Sequence, residues 1–231
     1  MTLQNIPIIA VIPARGGSKG IPLKNMKKIN NKPLIFYTIN AAIKSKYIDK
    51  IYVTSDKKSI LNYCNKFKLN CIKRPKFLSK DKTTAVDVLK HTIKYIDKGI
   101  LKQNPYIIYL QPTSPLRTHI HIDKLILSVK HRREKKAISV VETNETPYKF
   151  FKIDNKDRLK SIFSQKYSNY SRQFLPKTYK PNGAMYFFQL SSFLKQDGFP
   201  SNGSNPFIMS KKESLDIDHD EDLVLARKFL K

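Results

Sequence analysis

Apolar residues recur along this chain with two alternating periods. Pro7–Pro13 carries a continuous apolar run, Ile8, Ile9, Val11 and Ile12, the mark of a strand buried on both faces. Further short runs predict strands at Lys50–Thr54, Leu69–Ile72, Tyr106–Leu110, Ala137–Glu142 and Ala184–Phe188. Between them the spacing turns helical. Pro33–Lys46 presents Leu34, Tyr37, Ile39, Ala41, Ala42 and Ile43, with Pro33 suited to a first helical turn. Helices are also predicted at Lys58–Phe67, Val86–Ile96, His121–Lys130 and Asp220–Leu230. Strands alternating with helices predict an α/β fold, a mostly parallel, doubly wound sheet with helices on both faces. Ligands of such sheets bind at the carboxyl ends of the strands. The polar stretch Ala14–Asn31 reads as a loop there. The alternation fails at Thr143–Lys180, where aromatics mix with Lys, Asn, Ser and Pro, and that stretch reads as an inserted hairpin arm.

At 231 residues, 40% of them hydrophobic, the chain suits a single domain over residues 1–231 with its own core. No apolar run approaches the roughly 18–20 residues of a membrane span, and no signal peptide is evident. Cys64 and Cys71 fit neither a disulfide framework nor a zinc spacing, so a cytoplasmic setting is expected.

Charge complicates this picture. Lys and Arg number 44 against 18 acids, a formal net charge of +26. Such a field attracts polyanions generally, and a basic nucleic-acid-binding module is one reading. The lysines are spread, however, and only His131–Lys136 forms a dense run, so general surface bias explains them better and no specific nucleic acid is expected. The acids are more informative. Six of the 18 fall between Glu213 and Asp222, an acidic knot that would repel a nucleic acid and concentrate a cation.

Three blocks could carry chemistry. Pro13-Ala14-Arg15-Gly16-Gly17-Ser18-Lys19-Gly20, followed by Lys24 and Asn25, forms a glycine-rich basic loop directly after a strand. Its backbone N–H groups could wrap phosphates that Arg and Lys neutralise. It matches neither the Walker loop nor the dinucleotide fingerprint, and Asp56 lies too far on for a ribose contact, which speaks against a dehydrogenase. An ordinary glycine turn is the plainer alternative. Gln111-Pro112-Thr113-Ser114-Pro115-Leu116-Arg117, stiffened by two prolines, reads on its own as a structural turn. Leu215-Asp216-Ile217-Asp218 alternates, placing Asp216 and Asp218 on one face with Cα atoms about 6–7 Å apart. Two such carboxylates suit Mg²⁺, which completes its shell with phosphate oxygens and water. Helix capping by Asp218 or Asp220 is the competing account of one acid.

These blocks, in this order, resemble the acylneuraminate cytidylyltransferase family. The residues that carry the resemblance are Ile12 to Gly20 with Lys24-Asn25, Arg74-Pro75 with Leu78 and Asp81, and Gln111 to Arg117. Beyond them lie Arg172-Gln173, Pro181-Asn182-Gly183-Ala184 with Tyr186, and Ser214 to Asp218. The resemblance implies a nucleotidyltransferase-like, Rossmann-like domain that transfers CMP from CTP to the anomeric hydroxyl of N-acetylneuraminate, releasing pyrophosphate. Legionaminate, pseudaminate and the eight-carbon acid KDO are the alternative acceptors, and surface polysaccharide biosynthesis is the implied setting.

The resemblance also distributes roles. Arg15, Gly16, Gly17, Ser18, Lys24, Asn25 and Arg74 would bind the nucleotide, with Arg15 and Lys24 catalytic through the charge they neutralise. Asp216 and Asp218 would be catalytic as ligands of Mg²⁺, with Mn²⁺ as a possible substitute. Gln111, Lys149, Arg172 and Tyr186 would line the sugar pocket, Arg172 reaching into the neighbouring site of a homodimer. The insertion, at about 143–183, would be the dimerisation arm. Ala85 stands where relatives often carry Ser, a role that Thr83 or Thr84 could take. The proton acceptor for the sugar hydroxyl is left open between Asp218 and a water.

Overall fold

A computed structural model describes residues 6–18, 20–132 and 134–230; Lys19 of the glycine loop and Arg133 of the basic run lie outside the described residues. The first half comprises β1 (Ile8–Pro13), β2 (Lys28–Ile29), β3 (Lys32–Pro33), α1 (Leu34–Lys44), β4 (Lys50–Ser55), α2 (Lys58–Asn65), β5 (Asn70–Lys73), α3 (Ala85–Ile93), α4 (Lys98–Lys102) and β6 (Tyr106–Tyr109). The second comprises α5 (His119–Arg132), β7 (Lys136–Thr143), β8 (Phe151–Ile153), β9 (Leu159–Ser161), β10 (Thr178–Gln189), α6 (Leu190–Gln196), β11 (Asn205–Met209) and α7 (Asp220–Phe229).

Among the described residues, seven strands form one sheet in the order β11-β7-β10-β6-β1-β4-β5. Strand β10 alone runs against its neighbours β6 and β7; the other pairs are parallel. The mostly parallel sheet read from the sequence is therefore the observed one. Strand β1 explains its own apolar run. Ile8, Ala10 and Ile12 pack with Ile35 and Ile39 of α1, Ile60 of α2 and Leu125 of α5, while Ile9 and Val11 pack with Leu89 of α3 and Phe193 of α6. Both faces are covered, so no alternation is possible. A third, smaller core joins Ile21 and Ile29 of the loop after β1 to Ile217, Leu223 and Ala226, bringing the chain's last helix onto that loop.

The chain moves from β1 outward through β4 and β5, then crosses back to place β6 on the other side of β1. The loops after β1 and β6 therefore diverge at a topological switch point, where such sheets open a crevice.

Several elements depart from the sequence reading. The polar loop 14–31 contains most of a small hairpin, β2–β3, turned by Asn30 and Asn31 at φ 47° and 63°. Asn tolerates the left-handed region that this tight turn requires. The helices α4 and α6 and the strand β11 were not expected. Strand β11 carries Pro206 and sits at the sheet's edge, where a missing N–H is tolerated. Strand β10 begins at Thr178, and Thr178 to Pro181 pair with β7, so the excursion between β7 and β10 is 144–177 rather than reaching residue 183. Within it β8 and β9 form the expected hairpin, pairing Phe151 with Ser161.

Candidate active site

The crevice beside β1 is an open cleft of about 360 Å³. Its walls come from the glycine loop, the segment after β5, the start of α3, the turn after β6 and the acidic segment before α7. Arg15, Ser18, Lys24, Asn25, Arg74, Gln111, Asp216 and Asp218 all line it. These residues span nearly the whole chain, and the fold gathers them within one crevice.

On the loop side, Leu23 takes the left-handed conformation, φ 53°, and turns the chain into a single 3₁₀ turn at Lys24–Met26. Such a backbone is rare for a branched side chain and is kept where surrounding structure enforces it. Asn25 is buried and donates to the Arg15 carbonyl at 2.9 Å, closing the loop on itself. The Gly16 amide donates to Asp56 at 2.8 Å. That amide is engaged by a side chain in the free protein, and Gly16 is not among the residues lining the cleft. Gly17 faces open space. At Gly20 a side chain would stand 2.3 Å from the Asp218 carbonyl oxygen, so a glycine there lets the loop close on the acidic segment.

On the acidic side, Ile217 is fully buried while Asp216 and Asp218 both face the cleft, as alternation required. The Ile217 amide donates to the Thr113 carbonyl at 2.8 Å, fixing the segment to the turn after β6. Neither Asp218 nor Asp220 caps α7. His219 is the N-cap, and Asp222 in the first turn completes a capping box, accepting from the His219 amide and from the Asp218 amide at 2.8 Å each. Burial pushes the Asp216 carboxyl up from the ordinary aspartate range, opposed by the Thr113 hydroxyl and reinforced by Asp218. Its Oδ1 atom is buried without a hydrogen-bond partner in the protein.

Lys24 bridges the two sides. Its ammonium donates to the Ile217 carbonyl at 2.5 Å and to Asp218 at 2.8 Å. Arg15 pairs with Asp81 at 3.0 Å near the cleft mouth. Arg74 is only 4% exposed, and two of its nitrogens, Nε and Nη2, have no protein acceptor. Burial draws its basicity down, with Tyr109 and Asp56 pulling the other way.

The turn after β6 proves to be more than a stiff loop. Arg117 is fully buried and donates to the carbonyls of Gln111 (3.1 Å) and Ala184 (3.0 Å) and to the Thr38 hydroxyl (2.5 Å). The Pro181–Ala184 block is a bulge in β10, where the register with β7 shifts. Gly183 adopts φ 76° with Gln111 Oε1 2.6 Å from where a side chain would begin. Asn182 accepts from Ser139 at 2.6 Å and donates to Ser214 at 2.9 Å, so the bulge also holds the start of the acidic segment. Tyr186 lies two residues past the bulge, close enough to Asp216 for that charge to raise its phenol beyond what burial does.

Lys149 and Arg172 are not among the residues lining the cleft; both lie on the excursion 144–177. Thr83, Thr84 and Ala85 do line it, but the Thr84 hydroxyl is engaged with Asp87 in the capping box of α3. Asp56, Tyr109, Thr113 and Asp222 were missed as site residues. Asp56, an acid at a strand end, Thr113, within the Gln111–Arg117 block, and Asp222, within the acidic knot, each carried a local signal.

A family pattern described as cytidylyltransferase matches residues 9–228. The chain belongs to the cytidylyltransferase family. An N-acylneuraminate cytidylyltransferase of Escherichia coli O18:K1:H7 is 34% identical over 220 residues, 95% of this chain but 51% of that protein. The chain thus spans about half the length of that relative, and of a second N-acylneuraminate cytidylyltransferase from Streptococcus agalactiae at 32% identity. A CMP-N,N'-diacetyllegionaminic acid synthase of Legionella pneumophila is 30% identical and matched over 96% of both chains. Among solved structures, a CMP:2-keto-3-deoxy-manno-octonic acid synthetase complexed with CTP superposes with TM-score 0.71 at 15% identity, over 97% of this chain and 98% of that one. That likeness establishes the fold, the α/β, nucleotidyltransferase-like sheet expected from the sequence. No helix among the described residues is long and apolar enough to cross a membrane.

Proposed function

We propose that this cytidylyltransferase transfers CMP from CTP to the anomeric hydroxyl of N-acetylneuraminate, giving CMP-sialic acid and pyrophosphate. One observation carries the reading: the cleft gathers buried polar atoms without protein partners, on Arg74, Asn25 and Asp216, between a basic glycine loop and two carboxylates. Buried polar groups are almost always hydrogen-bonded, so such a set is built for a polar ligand. Arg15, Lys24 and Arg74 supply positive charge for a triphosphate. Asn25 and Ser18 supply neutral contacts.

The donor set also fits a divalent cation. Asp216 and Asp218 offer hard carboxylate oxygens on one wall, one of them unpartnered, and Mg²⁺ or Mn²⁺ asks for such ligands. Held there, the cation would supply positive charge to the phosphate oxygens. The protein's own share is positioning and fixed charge. Arg15 and Lys24 face the pyrophosphate that leaves as the sugar hydroxyl attacks the α-phosphorus in line. Gln111, fixed from behind by Arg117, and Tyr186 orient the acceptor beside Asp216.

The excursion 144–177 is read as a dimerisation arm. It exposes Ile153 (69%), Leu159 (72%) and Phe174 (72%), apolar surface that a second copy of the chain would cover. Lys149 and Arg172 on that arm would then reach the partner's site. Light scattering is expected to give a dimer, and replacing Leu159 and Phe174 by Ser is expected to yield monomers of much lower activity. An unchanged mass would remove the arm's role. Two unpaired thiols fit a cytoplasmic location.

A second acceptor has support of its own, since the legionaminate synthase matches this chain over almost its full length. The test is pyrophosphate release from CTP with Mg²⁺ across N-acetylneuraminate, legionaminate, pseudaminate and KDO, with ATP, GTP and UTP as controls. Release with CTP and N-acetylneuraminate is the expected result. Release only with another acid transfers the assignment to that acid, and a folded protein that binds no CTP overturns the reading.

A further inference from the structure

Lys24, one of the cations lining the cleft, is already held by an anion of the protein. Lys24 donates two of its three N–H bonds to one short segment, the Ile217 carbonyl and the Asp218 carboxylate. The backbone of that segment is pinned: the Ile217 amide is bound to Thr113 and the Asp218 amide to Asp222. The Asp218 side chain is 64% exposed, so its carboxylate can turn away while the main chain stays in place. The Lys24 side chain is 11% exposed and has no comparable freedom. Asp216, on the same wall, makes no hydrogen bond to Lys24 among those observed.

We propose that Lys24 and Asp218 form an exchange pair in which Asp218 is an internal competitor of the triphosphate for Lys24, and a divalent cation at Asp218 relieves that competition. The inference rests on the reading of the cleft as a nucleotide site. Its consequence is positive coupling: cation and CTP each make the other's site available, and linkage requires the coupling to be equal in both directions. The size is bounded by the strength of a half-exposed ion pair, so the effect is a few-fold.

The test is calorimetric titration of CTP in EDTA. Asp218→Asn is expected to tighten cation-free CTP binding roughly two- to fivefold, and more than Asp216→Asn, which removes the same charge without freeing Lys24. In a Lys24→Met background, Asp218→Asn should bring no such gain. Equal gains in the two aspartate variants, or a gain that persists without Lys24, would overturn the exchange and leave only general charge repulsion. A second readout uses Mn²⁺ alone, followed by the resonance of the free ion. Lys24→Met should bind it more tightly than wild type; unchanged or weaker binding also overturns the proposal. Wild type that binds no CTP, with or without cation, removes the nucleotide reading itself, and the exchange falls with it.

Discussion

Asp216→Asn is expected to lower turnover by about a hundredfold or more while the protein stays folded and still binds CTP. The substitution keeps the shape of the side chain and removes one anionic oxygen. That oxygen is the part of the site with the clearest unmet demand, since Oδ1 is buried without a partner and the carboxyl is raised by burial. A carboxylate held at such a cost in solvation is kept for a charge that the free protein lacks. Folding should not suffer, because Asn is neutral and relieves the same desolvation. CTP binding should largely survive, because Arg15, Lys24 and Arg74 are untouched. The measurement is steady-state pyrophosphate release alongside direct CTP titration and a melting curve. Turnover within threefold of wild type, with intact folding, would sink the role assigned to Asp216.

Much of this site was legible because its logic is local. The period of two around Ile217 placed Asp216 and Asp218 together, and full burial of Ile217 is what makes that period hold. The glycine loop followed a strand buried on both faces, so its place at the strand's carboxyl end followed from the sheet alone. What stayed hidden depends on distant partners. No spacing links Asp56 to the Gly16 amide forty residues away, or Asn182 to Ser139 and Ser214. Capping chemistry also misled. Three acids open α7, and only the geometry shows that His219 is its N-cap with Asp222 completing the capping box, leaving Asp218 for the cleft. Thr84 drew notice as a substitute for a missing serine, whereas its hydroxyl is committed to Asp87.

Arg117 illustrates the same limit and carries the largest expected effect on stability. Its guanidinium is fully buried, and burial draws it down to about 9, which leaves it cationic at neutral pH. Among the described residues no ion pair to it is observed, and its three partners are neutral oxygens on the turn after β6, the β10 bulge and α1. Those are the elements that set Gln111 against Gly183, so the clamp lies directly behind the proposed acceptor pocket. Arg117→Ala would take a donor from three oxygens, of which the Gln111 carbonyl keeps only a long 3.5 Å bond from the Thr38 hydroxyl, and would leave a cavity the size of the lost side chain. Each lost donor costs about 1–3 kcal/mol, partly offset by removing the burden of a buried charge, so a net loss of about 3–5 kcal/mol is expected. For a chain of this length that lowers the melting temperature by roughly 10 °C or more. Arg117→Met fills the cavity but does not replace the donor, and should lose less. Arg117→Lys keeps the charge, yet a single ammonium cannot span acceptors on three elements, so it should not rescue the fold fully. Thermal denaturation of the three variants decides the matter. A loss ordered Ala, then Lys or Met, then wild type supports a hydrogen-bonded clamp, whereas an alanine variant that melts within 3 °C of wild type would show that the buried guanidinium supports nothing.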